Sequence, residues 1–283
     1  MIRAHNTRFA DAMVFPALAI LIGLFLLPLG LFVFEALQGQ NFTGLTVAAH
    51  AVLVAPEVIR AILATNVIAA EVTIGALIVG YPIAIYLTRA SGWQFYLVMF
   101  GIVAPTLTST VVRTFSLMVL GGRHGIVNTF FVDQLRLLRV PMQLLYNRPA
   151  VVVAMIYVLL PYMVLTLYAA MRSIDENLLK ASRSLGASEA YVFFKVFFPL
   201  TLHGVISGSM MVFIFALGYY LTPALVGGSD DVMIAQLIQR TIENTLDWTS
   251  AAFMSLVLTG MTLILFAVYC CFSNVRNLTG SQA

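Results

Sequence analysis

Six apolar runs, at 12–34, 66–87, 96–120, 149–171, 204–226 and 251–272, meet or approach the length a helix needs to cross a bilayer. Hydrocarbon offers no water to backbone N–H and C=O groups, and each one left unpaired costs several kcal/mol, so a spanning segment must close its hydrogen bonds internally. A helix of about 20 apolar residues does this across a core about 30 Å thick. Only 10% of the residues are charged and 61% are hydrophobic, against roughly a quarter charged in soluble domains. The chain is therefore read as all-α and transmembrane, a single membrane domain over 1–283. The run 12–34 is longer than the roughly 7 to 15 apolar residues of a signal-peptide core, and it reads as a retained anchor.

Several classes fall away. The net charge of +3 is small and scattered, and no basic patch is interleaved with aromatic residues, so no nucleic-acid partner is expected. Cys270 and Cys271 are adjacent, which strains a disulfide between them and offers no zinc spacing. His5, His50, His124 and His203 are dispersed; no H-E-x-x-H helix exists to hold zinc and no G-x-x-x-x-G-K-[ST] loop exists to hold ATP phosphates. No catalytic residue, metal site or cofactor is assigned to this chain, and any nucleotide chemistry must come from another subunit.

Lys and Arg in short loops set orientation. An N-terminus on the cytoplasmic side places Arg3, Arg8, Arg89, Arg172, Lys180, Arg183, Lys195 and Arg276 inside, and Arg60, Arg123, Arg136, Arg139, Arg148 and Arg240 outside. The stretch 121–148 puts four of those arginines outside and weakens the bias. Within it, "NTFFVDQLRLLRV" at 128–140 has Phe131, Leu135 and Leu138 at helical spacing. It reads either as an amphipathic helix lying in the interface or as a packed loop helix.

The longest cytoplasmic interruption, 172–203, divides into two helices. Ser173 with Glu176 has the capping-box pattern, or Asp175 caps alone; either leads into "ENLLKASRSL". Gly186 follows the last turn, where a left-handed residue ends a helix without a Cβ penalty. Ser188 caps the next helix, "EAYVFFKVFF", and Pro199 is expected to kink the chain before span five. A first helix of about ten residues is marginal alone in water. Presented this way, it suits a partner's groove.

Those residues carry a family likeness. "KASRSLGAS…F…FPLTLHG" resembles the cytoplasmic "EAA" loop of the membrane subunits of bacterial ATP-binding-cassette importers. The family pattern is roughly E-A-A, then L-G-A, then a Phe, then L-P and P-G; Ala181, Leu185, Gly186, Ala187, Phe193, Pro199 and Gly204 fall on matching positions. "VVRTFSLMVLGGRHGIVN", "LLYNRPAVVVAMIYVLLPYMVLTLYAAMRSID" and "LGYYLTPALVGG" resemble the spermidine/putrescine branch, so the likeness covers most of 66–272. It implies the six-helix membrane domain of a type I importer, in the bacterial inner membrane, with a coupling helix between spans four and five. Glu176, Leu179, Lys180, Ala181, Arg183, Leu185, Gly186 and Ala187 would then meet the ATPase. The implied partners are a second, distinct permease, two ATPase subunits carrying ATP and Mg, an external solute-binding protein reached by "LTPALVGGSDD", and membrane lipid. The implied solute is a small organic cation such as a polyamine; related permeases of opines, amino-acid-like solutes and phosphonates supply the alternatives. Three departures stand out: Lys180 replaces the usual acidic residue, Ser182 the second alanine, and His203 the proline of P-G.

Ionisable groups within lipid are expensive and default to functional roles. Two lie within spans, Glu71 and Arg113. Glu71 either touches solute or snorkels to the headgroups; Arg113 either lines the pathway or braces helices. Tyr157 and Tyr162 flank Pro161, while Tyr219 and Tyr220 follow Gly218, and such interruptions are where transporters line cavities. Aromatic faces hold an amine at about 0.5–2 kcal/mol each, although tyrosines also anchor at interfaces. The rival readings are an ion-gradient carrier, which needs acidic residues at mid-membrane, and a scaffold that only docks a partner.

Overall fold

The structure is a computed structural model, and it describes residues 54–130, 132, 140–228 and 231–280, with helical positions scattered between 16 and 34. The first expected span, 12–34, lies largely outside the described residues, as does most of the 128–140 stretch. Every regular element among the described residues is helical.

Helix α1 (Pro56–Arg89) has Pro56 in its first turn, where a missing N–H costs nothing, and Glu57 and Arg89 at opposite ends complement its dipole. It begins at 56 rather than 66 because hydropathy marks the apolar length of a helix, not where its hydrogen bonds stop. The run 96–120, expected as one span with its hydrogen-bond ladder interrupted at Pro105, is broken there outright. α2 (Trp93–Val103) tightens into a 3-10 turn at Ala104–Leu107, and α3 (Thr110–Gly121) restarts after Ser109 in an extended conformation. The two halves meet at 107°. Pro105, which has no N–H, sits in that turn. A single turn, α4 (Ile126–Thr129), follows.

α5 (Arg148–Arg172) is capped by Asn147, whose side chain accepts from the Ala150 N–H at 2.8 Å. After α6 (Glu176–Ser184), α7 runs unbroken from Glu189 to Leu217, so the expected span 204–226 is shifted toward the chain start. Residues Val192–Phe197 form a π-turn directly before Pro199. Pro199 lies two residues beyond that turn, inside the same continuous helix, at the first turn of its α-helical part. α8 (Leu221–Val226) is separate, beyond a break at Gly218–Tyr220. α9 (Ile234–Thr245) and α10 (Trp248–Gly280) complete the described chain. Among the described residues, four helices are long and apolar enough to cross a membrane, or five if the bent pair is one span.

The core is a three-helix stack of α1, α5 and α7. Val151, Met155, Leu159, Met163, Leu167 and Met171 recur every four residues along α5 and are buried against Ile68, Val72, Ala76 and Ala84 of α1. In lipid the hydrophobic effect does not drive helices together, so close packing and hydrogen bonds must. Gly204 seats against Ala170, and Gly208 lies where a Cβ would come within 3.0 Å of the Met163 sulfur. Tyr81 and Thr201 join α1 to α7 through a 2.9 Å hydrogen bond. Ile74, Ile78, Val153 and Leu263 remain exposed on the outer helix faces, as a lipid-facing surface requires.

Candidate functional site

Two places combine an unusual backbone with charged side chains. The first is the elbow formed by α6 and the start of α7. Asp175 caps α6 by accepting from the Asn177 N–H at 2.9 Å. Ser173 does not cap it; its hydroxyl donates back to the Ala170 carbonyl at 2.8 Å. At the other end, the Gly186 N–H donates to Arg183 and the Ala187 N–H to Ser182, a Schellman closure with Gly186 at φ 84°. Ser188 then caps α7, accepting from the Tyr191 N–H at 3.3 Å.

Across this elbow Arg183 grips Glu189 with two hydrogen bonds, Nε to Oε1 at 2.7 Å and Nη2 to Oε2 at 3.2 Å. The Glu189 hydrogen bond, then its charge, hold the Arg183 guanidinium above its already high ordinary pKa. Lys180 reaches Glu176 at 3.6 Å, so the lysine that replaces the family's acidic residue neutralises a neighbour in solvent. Ser182 donates to the Leu179 carbonyl at 2.8 Å, turned toward its own helix.

Beneath α6 lies a cleft of about 620 Å³, bounded by Arg89, Arg172 and the π-turn. Glu176, Leu179, Lys180 and Arg183 line it. Ala181, Leu185 and Gly186 are exposed, Leu185 at 88%, while Ala187 is half-buried.

The second place is a pocket of about 300 Å³ halfway along α5, where Val158 and Tyr162 from α5, Thr110 and Arg113 from α3, and Phe215 and Tyr219 near the end of α7 converge. Arg113 is 7% exposed. Its Nη2 donates to the Thr108 carbonyl at 2.9 Å, and its buried Nε has no hydrogen-bond partner. Next to it, Thr114 and Thr222 share a 3.2 Å hydrogen bond that ties α3 to α8. Tyr162 packs edge-on against Phe215 with ring centroids 5.1 Å apart.

Of the residues singled out for the solute pathway, the structure gathers Arg113, Tyr162 and Tyr219. Glu71 is elsewhere, in a two-pronged ion pair with Arg148 at 2.7 and 3.1 Å. Tyr157 and Tyr220 are exposed and do not line the pocket. The Glu71–Arg148 pair was invisible in the sequence because 77 positions separate its members. Arg183 and Glu189 lie six apart around a glycine, a spacing short enough to be readable in the sequence.

Residues 76–274 match the family described as the binding-protein-dependent transport system inner membrane component. The chain belongs to that family. It is similar to the spermidine/putrescine transport system permease protein PotB of Haemophilus influenzae, 33% identical over 70% of this chain and 68% of that protein. PotB of Escherichia coli strain K12 is 31% identical over 72% and 74%. A chain from the crystal structure of a bacterial alginate ABC transporter bound to its periplasmic protein shares the fold, with a TM-score of 0.72 at 16% identity over 94% of this chain and 93% of that one. The permease is therefore a multi-pass protein of the inner membrane and the transmembrane subunit of an ATP-driven importer, not its catalytic subunit.

Proposed function

We propose that α6 is the coupling helix of this permease, lying on the cytoplasmic side with the N-terminus, and that residues 1–283 form one transport domain. Glu176, Leu179, Lys180, Ala181, Arg183, Leu185, Gly186 and Ala187 form its contact with an ATPase subunit. Two such subunits carry ATP and Mg, a second permease completes the solute path, and an external binding protein delivers the solute. The observation that carries this reading is a short helix, capped at both ends and exposed along Leu178 and Leu185, that rests on the π-turn of a spanning helix. A push on α6 passes through that π-turn into α7, whose seam with α5 is close-packed; such interfaces switch between discrete arrangements rather than deform.

The solute in this reading is a small amine-bearing organic molecule, polyamines being supported by the names of the relatives. An amino-acid-like solute is the second reading, favoured by the buried guanidinium of Arg113. The test is uptake into proteoliposomes holding the permease, its second permease and its ATPase, with binding protein added. Uptake that needs ATP and the ATPase supports the importer. Uptake that runs on an ion gradient without ATP contradicts it, and binding of partners without any uptake leaves a scaffold.

A further inference from the structure

The cleft beneath α6 lies where two spanning helices end. Arg89 is in the last turn of α1 and Arg172 in the last turn of α5, and both line it. Across the cleft, Lys180 is paired with Glu176, and Arg183 holds both oxygens of Glu189. Arg89 is near enough to Glu189 for its charge to be felt. Among the described residues, however, neither Arg89 nor Arg172 has an ion-pair or side-chain hydrogen-bond partner. Each helix end contributes about half a negative charge, so the two guanidiniums leave the place net positive. Both side chains are exposed and open to a ligand.

Below this charged rim the cleft is apolar. Met171 of α5 and Val192, Phe193 and Phe197 of the π-turn form its floor. The same stretch leaves Phe194 65% and Phe198 40% exposed. In a chain that crosses a bilayer, acyl chains cover such rings, which puts the turn at the edge of the hydrocarbon. The cleft of about 620 Å³ therefore joins a cationic rim at headgroup depth to an apolar floor at acyl depth. Basic pockets between spanning helices on the cytoplasmic side bind the headgroups of anionic lipids. An acidic peptide would match the rim but would have to enter hydrocarbon to meet the floor. We infer that this cleft holds the phosphodiester of one anionic phospholipid of the cytoplasmic leaflet, between Arg89 and Arg172, with its acyl chains against Phe193 and Phe197. Glu176, Leu179, Lys180 and Arg183 roof that lipid, so a push on α6 bears on it, while Leu178 and Leu185 lie outside the cleft and stay exposed. The inference rests on the cytoplasmic placement of α6 proposed above.

The test adds phosphatidylglycerol to the detergent-solubilised complex of both permeases and the ATPases and counts retained lipids by native mass spectrometry, with phosphatidylcholine as the zwitterionic control. The expected result is one phosphatidylglycerol held per copy of this chain in preference to phosphatidylcholine. Arg89→Gln and Arg172→Gln each weaken its retention about 5-fold, with the melting temperature in phosphatidylcholine unchanged; should one variant fail to fold, the other keeps the test decisive. Arg172→Lys keeps the charge and most of the retention. Lys195→Gln removes an exposed charge from the same turn but outside the cleft, and leaves retention as in wild type. In nanodiscs, the ATPase rate stimulated by loaded binding protein rises with the phosphatidylglycerol fraction for wild type and stays flat for the double Arg89→Gln, Arg172→Gln variant. Four results overturn the inference: equal retention of the two lipids, an equal loss in Lys195→Gln, displacement of the lipid by glycerol 3-phosphate, or loss of the ATPase from Arg172→Gln while the lipid is kept. Failure of the importer reading would show separately, as uptake that persists without ATP, and would leave the lipid count measurable.

Discussion

The seam between α5 and α7 and the elbow between α6 and α7 both depend on glycine, for opposite reasons. At the seam, Gly204 and Gly208 are helical and allow close approach; a Cβ on Gly204 would collide with Ala170. At the elbow, Gly186 has open space around it, and what it supplies is φ 84°, a conformation that other residues adopt only under strain. The seam is a packing surface whose partner is already present. The elbow is a shape set by its own backbone, and in the function proposed above it is presented to an ATPase subunit. The same residue type therefore marks stability in one place and presentation in the other, and substitutions should separate the two.

Gly204→Leu is expected to have the largest effect. Overpacking commonly costs about 1–3 kcal/mol, and here the seam lies between two spanning helices, so the protein should lose its single melting transition in detergent along with uptake. Gly186→Val comes next and differs in kind. A residue forced into the left-handed region costs about 1–2 kcal/mol, and a β-branched one resists most. Membrane insertion and solute-pocket chemistry should persist while ATP-driven uptake is lost. Normal uptake by Gly186→Val would erase the distinction between seam and elbow.

Arg183→Ala is expected to act in the same direction as Gly186→Val but more weakly, since the Arg183–Glu189 pair is exposed and only braces an elbow the backbone already makes. The melting temperature should not move; the ATPase rate stimulated by loaded binding protein should fall, and Glu189→Gln should reproduce that fall without adding to it in the double variant. The smallest effect belongs to Asp247, which caps α10 by accepting from the Ser250 N–H at 3.0 Å and the Ser250 hydroxyl at 2.6 Å. The hydroxyl bond, then the N–H bond, hold its carboxyl below the usual carboxylate range. Because the folded-state pKa is lowered, the cap's contribution is present above the ordinary value of about 3.9 and is lost as pH falls through the lowered one. Asp247→Ala should cost about 1 kcal/mol near neutrality, and that difference from wild type should vanish in melts taken well below pH 4.

What the sequence revealed follows from which forces act locally. The span 149–171 is close to the observed Arg148–Arg172 because a uniformly apolar run flanked by a capping Asn147 and a terminal Arg172 states its own ends. The Gly186 elbow and the Ser188 cap were equally legible, since both obey short-range backbone rules. The break at Ala104–Ser109 was not, because hydropathy is the same for a straight helix and a folded one; only Pro105 and the Thr/Ser-rich string after it hinted at it. The fifth span was misplaced for a related reason. The amphipathic start of α7 dilutes the average although its hydrogen bonding is continuous. Glu71 read as either touching solute or snorkelling, and its pairing with Arg148 is visible only once the chain is folded. Arg113, Tyr162 and Tyr219 were each noticeable alone, yet their meeting in one pocket depends on the bend in span three and the end of α7, neither of which is encoded within a few residues.

The account turns on α6 gripping a nucleotide-hydrolysing neighbour, and residue 185, a large apolar side chain left 88% exposed at the elbow, reports on it most directly. With Cys270 and Cys271 changed to Ser, Leu185→Cys should form a crosslink to the ATPase subunit in inside-out vesicles, at a yield that changes when ATP is added. If position 185 crosslinks to no ATPase in any nucleotide state, or reacts in intact cells with a thiol reagent that cannot cross the inner membrane, α6 is not the coupling helix.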